Sequence, residues 1–156
     1  MPRFWISMAE AAATALLSTG AILPVEAATR PPVYPSFSVH ATYCENRACE
    51  PVTLQISSGE RFVMYRWGNH REEIRIANID APDENARCPR EKENAQRATD
   101  RLGQLLNGSI VTLARIDVDL RGNSLAFVSV DSRDLGHQLI SEHLALPREP
   151  KHRSRC

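Results

Sequence analysis

Ile74-Arg75-Ile76-Ala77-Asn78-Ile79-Asp80-Ala81-Pro82-Asp83 is the stretch that decides how this chain is read. Ile74, Ile76 and Asn78 fall on alternate positions, the period of a strand with one buried face. Pro82 cannot donate to a ladder and ends the strand. The strand carries Arg75 and Asp80, and the proline turn after it presents Asp83. A guanidinium fork suits a phosphate, carboxylates suit a hard cation such as calcium, and a further carboxylate can activate water. These are the parts of a phosphodiester hydrolase. A solvated acidic turn behind an amphipathic strand would use the same residue types.

Upstream, Val52, Leu54 and Ile56 alternate with polar residues. Phe62, Met64 and Arg66 follow the turn at Ser58-Gly59, and Gly68-Asn69 is a second turn, so residues 51–78 read as a three-stranded antiparallel meander. Downstream, Pro89 suits the first position of a helix. Ala95, Ala98, Leu102, Leu105 and Leu106 share one helical face, and Gly108 closes the helix after Asn107. Val111, Leu113 and Ile116 begin a fourth strand. Gly122-Asn123 is a turn, and Leu125, Phe127 and Ser129 make a fifth strand. A short helix over about residues 134–143 follows. This order predicts a mostly β, α+β chain: a five-stranded Greek-key OB barrel, with a helix between strands three and four and a short helix after strand five.

With 156 residues, the chain has length for one domain. Its 19 basic and 19 acidic residues balance, so nothing draws it to nucleic acid at long range and any such binding must be local. An aromatic content of 6% argues against an open base-stacking platform. Arg3, the uncharged run over 11–23 and Val25-Glu26-Ala27 predict a signal peptide over 1–27, and the run is short for a membrane span. The mature protein is expected to be secreted or periplasmic, monomeric and free of the membrane. Residues 28–50, with Pro31, Pro32 and Pro35, read as an extended leader with a cysteine loop; 51–146 hold the barrel, and 147–156 form a solvated basic tail. Cys44, Cys49, Cys88 and Cys156 are an even set, which in an exported chain favours disulfides. Cys44 and Cys49 can close a small loop, leaving Cys88 for Cys156. Zinc binding is the other use of four cysteines, but no CxxC pair is present. His70, His137 and His143 are scattered and have no Ser or Cys partner at motif spacing.

The segment 74–83 resembles the strand-turn pattern I-R-L-x-x-I-D-A/T-P-E of the thermonuclease (staphylococcal nuclease) family. The similarity continues through Cys88, Leu105-Leu106-Asn107-Gly108 and Val118-Asp119-Leu120-Arg121-Gly122-Asn123-Ser124-Leu125-Ala126, which is similar to the family's D-R-Y-G-R-x-L-A. It ends with Asp134-Leu135 and Leu144-Ala145, and the terminal cysteine after a basic tail resembles a secreted bacterial branch. The resemblance implies an OB barrel that hydrolyses DNA and RNA with calcium. It also implies two arginines on the phosphate, a glutamate as general base, and two aspartates plus a main-chain carbonyl on the ion.

Carried over by position, Arg75 is the first arginine, with catalytic and substrate-binding roles, and Asp80 and the Ala81 carbonyl are calcium ligands. Glu60, in Ser58-Gly59-Glu60-Arg61, stands where the family's D-G-D-T supplies the second calcium aspartate. Its extra methylene shifts the oxygens by roughly 1.5 Å. Asp83 stands for the catalytic glutamate with shorter reach, and Glu84 beside it is a substitute. Asn123 stands for the second arginine without its charge, and Arg121 is the nearest replacement for substrate binding. Losing a transition-state arginine can remove several orders of magnitude in phosphoryl transfer. The expectation is a calcium-dependent nuclease weakened at these positions. The alternative is a non-catalytic OB module that binds nucleic acid or an envelope partner.

Overall fold

A computed structural model of the chain describes residues 36–149 and Cys156. The signal peptide expected over 1–27 lies outside the described residues. Strands β1 (Phe37–Glu45), β2 (Ala48–Ser58), β3 (Arg61–Arg66) and β4 (His70–Ile76) run as an antiparallel meander. Then come β5 (Ile79–Asp80), α1 (Pro89–Leu106), β6 (Ile110–Val118), β7 (Ser124–Val130), β8 (Arg133–Asp134), α2 (Leu135–Ser141) and β9 (Leu146–Pro147). β1 pairs with β6 in parallel, β6 with β7 antiparallel, and β7 with β4 in parallel. That last pairing closes β1–β4, β6 and β7 into a barrel of OB type.

The barrel has six strands where the sequence predicts five. The extra one is β1, which lies in the segment read as leader. Val39, Ala41 and Tyr43 alternate into the core opposite Leu54, Val52 and Glu50. Its inward residues include only one large aliphatic side chain, and prolines precede them, so its hydrophobic signal is faint. Cys44 and Cys49 face each other across the β1–β2 hairpin and are disulfide-bonded, as expected.

Cys88 is the N-cap residue of α1 with Pro89 at the first position, and buried Ala98, Leu102 and Leu106 join the barrel core. Burying each large aliphatic side chain contributes about 1.5–3 kcal/mol. α1 packs on β1 and β2. A Cβ on Gly103 would fall 2.3 Å from the Phe37 ring, so this close approach requires glycine. Gly59 plays the same part nearer the cleft: a Cβ there would lie 2.7 Å from that of Ala98 and 3.1 Å from that of Ala81. The β2–β3 turn is thereby pressed against α1 and the loop after β5. The second disulfide joins Cys88 to Cys156 and returns the last residue to the start of α1. Among the described residues no helix is long and apolar enough to cross a membrane.

Candidate active site

The β2–β3 turn, β4, the loop after β5, the β6–β7 turn and the segment after β9 surround a cleft of about 700 Å³. Glu60 is at its floor, 9% exposed, and its carboxylate organises the surroundings. Register across β3 and β4 sets Arg61 opposite Arg75. Arg75 Nε donates to Glu60 Oε1 at 3.1 Å, and Arg61 Nε lies 3.7 Å from the same oxygen. Glu60 Oε2 accepts from the Ala81 N–H at 3.3 Å and from the Arg148 guanidinium at 3.1 Å.

Arg148 is the residue that the sequence does not reveal, because it sits among basic residues that read as a solvated tail. β9 pairs with β5 (Ile79↔Pro147, Asp80↔Leu146), and the Arg148 N–H donates to the Asn78 carbonyl at 3.0 Å. Its side chain is thereby aimed into the cleft, where it also donates to the carbonyls of Ala77 (3.0 Å) and Ile79 (2.5 Å). Burial pushes its pKa below the ordinary arginine value, Arg75 and Arg61 push the same way, and Glu60 and Asp80 oppose them. An arginine stays charged at any physiological pH. The sequence signal that could have found it is the terminal cysteine, which implies a tail folded back on the domain.

Of the expected residues, Glu60, Arg75, Asp80, Ala81, Asp83 and Arg121 all line the cleft. Asn123 does not. It is buried, its side chain donates to Asp119 Oδ2 at 3.0 Å, and its N–H donates to Asp119 Oδ1. It closes the β6–β7 turn, and Gly122 with φ 83° carries the reversal. Arg121, two residues earlier in that turn, is the one in the cleft wall. Asp83 is exposed, and its Oδ1 accepts from the Asn85 N–H at 2.8 Å. Glu84 is half-buried and accepts from Thr99 Oγ1 at 3.0 Å. Burial pushes its carboxyl above the ordinary range, Thr99 pulls it back, and Asp83 adds to the rise. The buried Glu91 at the start of α1 lies 3.5 Å from the Asp83 N–H and 3.2 Å from the Cys156 sulfur, so the loop and the tail meet at one carboxylate.

The residues resemblance assigns to calcium do not suit the ion as they stand. Both Glu60 oxygens are engaged by donors, and the group Ala81 turns toward Glu60 is an N–H. Three guanidinium groups around one carboxylate repel a divalent cation. Among the described residues that line the cleft, four arginines stand against six carboxylates, and the arginines gather at its floor.

A comparison with family models matches residues 73–155 to the family described as staphylococcal nuclease homologue. The match takes in Arg75, Asp80, Ala81, Asp83, Arg121 and Asn123 and begins after Glu60. No curated protein matches the chain. The chain belongs to the staphylococcal nuclease homologue family.

Proposed function

We propose, from that membership as premise, that this chain is an exported, monomeric protein. Its cleft binds the phosphodiester backbone of nucleic acid and hydrolyses it far more slowly than an intact site of the family. The observation that carries this reading is the convergence of Arg61, Arg75 and Arg148 on the cleft floor, with Arg121 in the wall. Guanidinium groups fixed before substrate arrives contribute electrostatic stabilisation without reorganising during reaction. Arg75 is held by Glu60 and presents its remaining N–H groups to a phosphate. Arg121 has the freedom of a turn and supplies a second, looser contact. Glu84, with its raised pKa, is the carboxyl best suited to take a proton from an attacking water.

Hydrolysis is slow in this reading because no arginine occupies position 123 and the side chain there is committed to Asp119. The six carboxylates among the described lining residues keep affinity modest. The second reading, a non-catalytic OB module, is favoured by the same turn at Asn123. Incubating the oxidised protein with single-stranded DNA, in calcium or in chelator, separates the two. Slow cleavage that Glu84→Gln abolishes supports the hydrolase, and binding without cleavage supports the module. Neither binding nor cleavage refutes both.

A further inference from the structure

We infer that Arg148 is a built-in replacement for the divalent cation at this site, so that the cleft works without calcium. The inference rests on the cleft reading above. A cation bound there needs oxygen donors, and among the described residues the Arg148 guanidinium donates to a Glu60 carboxylate oxygen and to the main-chain carbonyls of Ala77 and Ile79. A fourth oxygen, the carbonyl of Ile76, lies at 3.5 Å. Carboxylate and carbonyl oxygens are what a hard cation would take. Here they surround one guanidinium whose planar fork reaches several of them at once.

The charge accounting agrees. Asp80 and Glu60 supply two negative charges, and Arg61, Arg75 and Arg148 supply three positive ones from the chain itself. A divalent ion added to that set would face three guanidiniums without an uncommitted Glu60 oxygen to hold it. The placement of Arg148 is built into the fold, because β5–β9 pairing fixes its backbone beside the cleft floor. An arginine also differs from an ion in that chelation cannot remove it.

The test is calcium binding, read by calorimetry and by thermal melting of the full oxidised chain. Wild type should take up no calcium at millimolar concentration, and its melting temperature should be the same in calcium and in chelator. Arg148→Met, which keeps the stem and drops the charge, should acquire a calcium-dependent rise in melting temperature. Arg148→Lys should stay insensitive, because it keeps a positive charge in the cage. Calcium binding by wild type overturns the inference, and so does a folded Arg148→Met that ignores calcium. Should the methionine variant not fold, wild type decides together with Glu60→Gln, which removes the carboxylate charge: calcium uptake by either overturns the inference, and uptake by neither supports it. None of these readouts uses DNA, so failure of the nucleic-acid reading would appear in a DNA titration and not here.

Discussion

Replacing Arg115 with methionine should open the barrel at its closure. Arg115, on β6, reaches across β7 to Glu72 on β4 with two parallel bonds, Nε–Oε1 at 2.6 Å and NH2–Oε2 at 2.7 Å. Its third nitrogen holds Glu45 at 2.7 Å and the Tyr43 hydroxyl at 3.1 Å, both on β1. Ser124 of β7 donates to the same Glu72 oxygen at 2.7 Å. One guanidinium thus fastens the β4–β7 seam to β1. The side chains are 23–36% exposed, so solvent screens the pair, and its removal should cost about 1–3 kcal/mol. That amounts to a fall of about 1–2 M in the urea midpoint for a domain of this size. The pH dependence has a definite sign. Arg115, and then Ser124, hold the Glu72 carboxyl below its ordinary value of 4.5 against the opposing push of burial. A lowered folded pKa stabilises fully above the unfolded value, and the benefit fades as pH falls below 4.5 toward the lowered folded value. The difference between wild type and Arg115→Met in urea titrations should therefore be large at neutral pH and small at about pH 2. An equal difference at both, or none at neutral pH, would refute the assignment of this seam to the Arg115–Glu72 pair.

Two further outcomes concern the turn and the tail. Asn123→Ala should lower stability by about 1 kcal/mol by removing the half-buried bond to Asp119, yet leave DNA affinity unchanged, since the side chain faces the turn and not the cleft; urea titration and a binding curve check both halves. Serine at Cys88 and Cys156 together removes a cross-link spanning 68 residues and should cost up to about 4 kcal/mol by chain entropy, read as a lower thermal midpoint than that of the oxidised wild type.

Much of this architecture is legible in the residues because local rules and packing agree. Leu54, Met64 and Ile74 are the inward residues of three successive strands and are all fully buried, Pro89 opens α1, and Gly108 at φ 74° follows its end. The site segment Arg75 to Asp83 is contiguous in sequence, so its convergence follows from one strand and one turn. What the residues hide is long-range. β1 carries Ala41 and Tyr43 where larger aliphatics would have marked a strand, and its role emerges only from pairing with both β2 and β6. Arg148 looks like part of a basic tail until the two-residue pairing of β5 with β9 brings it to Glu60. Position matching does not reveal that the Asn123 side chain turns to Asp119, with Gly122 at positive φ just before it and Arg121 as the cationic side chain of that turn in the cleft lining.

The central claim is that the arginines of this cleft bind a phosphodiester backbone. Fluorescence anisotropy of a labelled single-stranded oligonucleotide, titrated with the oxidised protein over a range of salt, measures it directly. Wild type should bind at low salt and weaken as salt rises. Arg75→Ala and Arg121→Ala should each bind more weakly. Each should also flatten the slope of log affinity against log salt by about 0.7, the share of one neutralised phosphate on a single strand. Wild-type affinity and slope retained in both variants, or no binding by wild type at low salt, would contradict the account.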